Sequence, residues 1–127
     1  MSCVYLLCAD HPLPSYGPKA RRLIHDAEDS FSVRPLEYYC SAVEDLGLSM
    51  KPCRYELGLR ATGQGAALLR NYLSLHCTTG EQVELWYLWM GEVNVRAFRL
   101  AGSLANLDTD TLKQLEEREQ TCITLTI

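Results

Sequence analysis

Long apolar runs are missing from this sequence: the first, Val4 to Ala9, is a small fraction of the roughly 20 residues a bilayer-spanning helix needs, so no membrane partner is expected. The same run has no basic segment ahead of it and no convincing cleavage site behind it. A secretory leader is therefore not expected, and the chain is assigned to the cytoplasm. Positive charge is not in excess either. Twelve Lys and Arg against 16 Asp and Glu leave a formal charge of −4, which provides no field to gather phosphate backbones and argues against nucleic acid as a partner. Also absent are a CxxC pair, an HxxxH pair, a Walker loop and a dinucleotide fingerprint, so neither a metal nor an organic cofactor is expected. There is no internal repeat and no low-complexity tract.

What the chain does contain is enough apolar material for one core. At 127 residues with 47% hydrophobic composition, it has the size of a single domain spanning 1–127 that folds without staples. The even count of six cysteines would suit a disulfide framework in a secreted chain. In a reducing compartment, Cys3, Cys8, Cys40, Cys53, Cys77 and Cys122 read instead as small, mostly buried hydrophobes.

The run from Cys3 to Ala9 lacks polar alternation, the pattern of a central strand covered on both faces. A polar stretch with Pro12, Pro14, Gly17 and Pro18 then predicts a long surface loop over about 10–30. Pro35 at a first helical position, with Val33 and Tyr38 as a staple, predicts a helix with the stripe Leu36, Tyr39, Val43 and Leu46, ended by Gly47. Tyr55, Leu57, Leu59 and Ala61 alternate with polar residues, as in a half-exposed strand. Thr62 caps a helix running to about Cys77 with Leu69, Tyr72, Leu73 and His76 at helical spacing. Val83 to Met90 and Val93 to Ala101 flank Gly91-Glu92, which reads as a two-residue hairpin turn. Asp108 is an N-cap, Leu107 and Leu112 form a second staple, and the helix ends near Glu119 before a last strand over 121–127. The order strand, helix, strand, strand, helix, strand over about 54–127 predicts a two-layer α+β fold with a ferredoxin-like, split βαβ core and an N-terminal strand-helix extension.

Chemistry has few footholds. Cys8, Asp10 and His11 lie together where the first strand leaves the sheet, and a thiol activated by His11, His25 or the Lys19 to Arg22 cluster would make a reactive site. Cys8 also continues an apolar strand, and spacing alone brings no imidazole to it, so the core reading is the simpler one. A zinc site built from Cys8, His11, His25 and Asp26 would rest on a loop whose geometry the sequence does not fix. The acidic Asp26-Ala27-Glu28-Asp29 run reads as solvated surface.

The predicted hairpin gives the more informative surface. Trp86, Leu88, Met90, Val93, Val95 and Ala97 share one face, and Val83, Leu85, Phe98 and Leu100 the other. Tyr87, Trp89 and Arg96, near its tip, form the candidate protein-contact patch, aromatic and arginine being the composition interfaces favour. The bland reading is that the first helix or the 10–30 loop covers these residues within one chain.

Three functions follow from different classes. The first is a non-enzymatic module that binds a protein partner or a second copy of itself as a homo-oligomer. The second is a small thiol- or histidine-dependent enzyme using the Cys8, Asp10 and His11 neighbourhood. The third, single-stranded RNA binding, shares the strand order but needs stacking aromatics on the open sheet face. Arg54, Glu56, Gly58 and Arg60 point that way instead, and Tyr55 lies with the inward set.

Overall fold

The computed structural model describes residues 2–17 and 31–127. Their architecture is mixed α+β: one open six-stranded sheet with helices on both faces. In chain order the elements are β1 (Cys3–Ala9), β2 (Ser32–Pro35), α1 (Cys40–Asp45), β3 (Cys53–Gly58), α2 (Gly63–His76), β4 (Gln82–Trp89) and β5 (Phe98–Ser103). A 3₁₀ turn (Leu104–Asn106), α3 (Thr109–Leu115) and β6 (Thr121–Thr126) complete the chain. No helix among the described residues is long and apolar enough to cross a membrane.

The strands lie in the order β2-β3-β1-β4-β6-β5, with every pair antiparallel except β5 and β6. β1 is central as its unbroken apolar run requires. Tyr5, Leu7 and Ala9 face Leu69, Tyr72 and Leu73 of α2 and Leu112 and Leu115 of α3 in the larger core. Leu6 and Cys8 face the other way, joining Val43 and Leu46 around α1 with Trp86, Leu88 and Cys122. The predicted stripe of the first helix is thus inward-facing, and Gly47 ends it at φ +67°, where a side chain would be strained.

The caps of α2 and α3 match their sequence signals. Thr62 Oγ1 accepts from the Gly65 N–H at 3.0 Å, and Asp108 Oδ1 from the Thr111 N–H at 2.9 Å. Leu107 and Leu112 are buried beside the second cap.

Four expectations are corrected. Pro35 does not start a helix; it ends β2, in which Val33 pairs with Leu57, and α1 begins only at Cys40. The strand was hidden because a Pro is equally at home on a sheet edge and in a first helical turn. α3 stops at Leu115, short of Glu119.

The hairpin is replaced by a different pairing. β4 lies between β1 and β6, and β5 runs parallel to β6 on its far side, with Phe98 opposite Thr121. Residues 90–97 are a connection that turns out of the sheet through Gly91 at φ +90° and Asn94 at φ 65°. The division of β4 into two faces survives, because it follows from alternation and not from the partner. Trp86 and Leu88 lie with Met90 and Ala97, and Val83 and Leu85 lie with Tyr87 and Leu100.

The consequence for topology is direct. β3, α2 and β4 do form a split unit, but the strand in the gap is β1, whereas β5, α3 and β6 form an unsplit unit of adjacent parallel strands. The predicted extension has become the centre of the sheet.

Candidate functional site

Cys8, Asp10 and His11 point three ways. Cys8 is fully buried at the middle of the sheet, and burial pushes its thiol up to about 12. Asp10 Oδ2 pairs with Lys51 Nζ at 2.7 Å, and His11 Nε2 meets the Glu81 carboxylate. A thiol in that state is no nucleophile at neutral pH, and no imidazole reaches it among the described residues. His25, Asp26 and the Lys19 to Arg22 cluster lie outside the described residues.

Tyr87, Trp89 and Arg96 do not form one patch. Tyr87 packs edge-on against Tyr5, ring centroids 4.9 Å apart, on the α2/α3 face. Arg96, exposed, lines a cleft of about 730 Å³ between Asn94 to Ala97 with Arg99 on one side and Asp45, the last residue of α1, with the following segment to Ser49 on the other. Trp89 is half-buried, and its main chain is held by Gln120. Gln120 Oε1 accepts from the Trp89 N–H at 3.0 Å, while its Nε2 donates to the carbonyls of Trp89 at 3.1 Å and Glu92 at 2.8 Å. A side-chain amide here stands in for a backbone pair where β6 has not yet begun.

The two edges of the sheet differ. At β2, Tyr16 covers the outer side: its N–H donates to the Val33 carbonyl at 3.0 Å and its carbonyl accepts from the Val33 N–H at 2.9 Å, while Pro35 has no N–H to offer. At β5 nothing among the described residues pairs with the outer side. The Phe98 N–H donates inward to the Gln120 carbonyl at 2.9 Å. Alternation then turns the N–H and C=O groups of Arg99, Ala101 and Ser103 outward.

No protein-family model, curated protein or solved structure matches this chain.

The side chains around the open edge are held in place. The Arg99 guanidinium lies 5.0 Å from the Trp86 ring, donates to the Ser49 carbonyl at 2.8 Å and sits 4.0 Å from the Glu84 carboxylate. Glu84 also accepts from the Lys51 N–H at 2.9 Å and from Trp86 Nε1 at 3.1 Å. Arg118 lies over the Phe98 ring at 3.9 Å. Arg96, Arg99 and Arg118 thus gather at the Phe98 end of β5 in a chain that is acidic overall.

Two further clusters escaped sequence reasoning because their members are far apart in the chain. In a cleft of about 490 Å³, the Tyr5 hydroxyl donates to Glu116, and the Tyr87 hydroxyl meets Cys3. Burial raises both phenols, so they stay protonated at neutral pH and supply neither a base nor a ready acid. The other cluster is His11, Cys77 and Glu81, the one group of three metal-ligand side chains that converges among the described residues.

Proposed function

We propose that this protein is a non-enzymatic protein-contact module whose binding element is the open edge of β5, and that the strand it takes up is β5 of a second copy. The observation that carries this reading is the contrast between the edges: β2 is capped by Tyr16 and Pro35, and β5 is left with outward N–H and C=O groups. A bare edge is a template for another strand, and natural sheets are otherwise guarded against it. Edge pairing by a two-fold axis would be antiparallel and isologous. In that arrangement the arginine-bearing end of one β5 meets the Ser103 end of the other, so Arg96 and Arg99 do not face their own copies. Arg99 also blunts the edge, but it is drawn aside towards Trp86 and Ser49 and does not project along the strand.

The thiol-enzyme reading loses support from the sealed Cys8 and from the separate partners taken by Asp10 and His11.

Amide exchange tests the proposal at the groups concerned. The N–H groups of Arg99, Ala101 and Ser103 are expected to exchange slowly in concentrated protein and quickly on dilution. Fast exchange at every concentration would contradict it.

A further inference from the structure

Three side chains of metal-ligand type, from three separate stretches, meet at one end of the sheet. His11 follows β1, Cys77 closes α2, and Glu81 leads into β4; their ligand atoms all lie within 4.8 Å of one another. Two of them are held from behind. His11 Nδ1 is 3.0 Å from the Pro12 carbonyl, and a proton shared there leaves Nε2 with its lone pair. It is Nε2 that faces the Glu81 carboxylate. A lone pair aimed at a carboxylate oxygen is repulsive unless a second proton or a cation lies between them. Glu81 is anchored in turn: its Oε1 accepts from the Thr78 N–H at 2.9 Å, which leaves Oε2 turned towards the ring. A histidine oriented by a backbone carbonyl on its far nitrogen is the arrangement metal-ligating imidazoles adopt.

We propose that His11, Cys77 and Glu81 bind one divalent transition-metal ion of the zinc class, with the fourth tetrahedral position left to water. The sulfur argues against magnesium and calcium, which take oxygen ligands, and one nitrogen, one sulfur and one oxygen suit zinc. On binding, the ion replaces the direct His11–Glu81 contact, and the Cys77 proton leaves to solvent. With 41% of the His11 side chain exposed, the ion has a way in. The ion would tie the segment after β1 to the junction of α2 and β4. None of the three ligands belongs to β5, so this proposal and the contact module stand or fall separately.

Cobalt(II) added to reduced, metal-free protein is the test. One equivalent is expected to bind with tetrahedral visible bands and a near-ultraviolet thiolate charge-transfer band, and zinc is expected to displace it. Cys77→Ser should lose the charge-transfer band, and His11→Ala and Glu81→Gln should each weaken binding at least about tenfold. Zinc should also raise the thermal midpoint of the wild type, and raise that of His11→Ala, a variant that leaves the core intact, by clearly less at the same zinc concentration. A charge-transfer band that persists in Cys77→Ser, wild-type affinity in His11→Ala and Glu81→Gln, or no uptake at equimolar ion and protein would overturn the proposal.

Discussion

Gln120 carries more of the structure than its residue type suggests. It is 1% exposed, sits at φ 52°, and its amide satisfies both main-chain groups of Trp89. Gln120→Ala leaves those groups without partners, and each buried unpaired group costs about 1–3 kcal/mol, so a loss of about 2–4 kcal/mol in urea unfolding is expected. A loss below about 0.5 kcal/mol would mean that water replaces the amide without cost. Nothing in the sequence marks this residue, because its role depends on where β4 ends in space. Cys8 is the opposite case. Its place in an unbroken apolar run made the core reading the simpler one, and it is fully buried. Cys8 and Cys122 are pushed by burial up to about 12, and Cys77 up to about 11, from an ordinary 9.0. Thiols raised in the folded state stabilise it fully below about pH 9, and that contribution is lost as pH rises through the folded values. The urea midpoint is therefore expected to fall between pH 9 and 11, and to fall less steeply in Cys8→Ala. An unchanged slope would place the alkaline sensitivity elsewhere.

At the scale of elements, the starts of α2 and α3 were legible because a side-chain cap is a local event, whereas α1, whose N-cap Tyr39 makes no such bond, began five residues later than its Pro35 signal. Thr62→Ala should cost about 1 kcal/mol through loss of the hydrogen bond to Gly65. Gly65 sets a sharper test. Helix propensity alone makes Gly→Ala favourable by about 1 kcal/mol, but a Cβ at this position would lie 2.1 Å from the Arg60 carbonyl oxygen. Overpacking against main chain costs about 1–3 kcal/mol, so Gly65→Ala is expected to destabilise. A more stable variant would show that residues 60–62 move aside. Strand partners were not legible. Two apolar strands joined by Gly91-Glu92 carry a hairpin signal, and that signal is local. The competing arrangement inserts β6, with Ile123 and Leu125 against one core and Cys122 against the other, and the chain must pass through α3 before β6 is available. That non-local burial outweighs a two-residue turn.

For the whole molecule, the sheet order decides what is exposed. The mixed α+β class, the central first strand and the two-sided covering of β4 followed from residue pattern. The position of β5 at an edge did not, and the contact patch expected from Tyr87, Trp89 and Arg96 was tied to a pairing that the sheet does not have. The proposed contact element therefore moves from a hairpin tip to the outer side of β5. The Ala101 N–H points outward, so Ala101→Pro removes a donor to a docking strand without removing a bond to β6. The most direct test is the solution mass by light scattering of reduced wild type and Ala101→Pro. The wild type is expected at a mass near twice 14.3 kDa and the variant, still folded, at 14.3 kDa. A monomeric wild type, or a dimer that Ala101→Pro leaves intact, would contradict it.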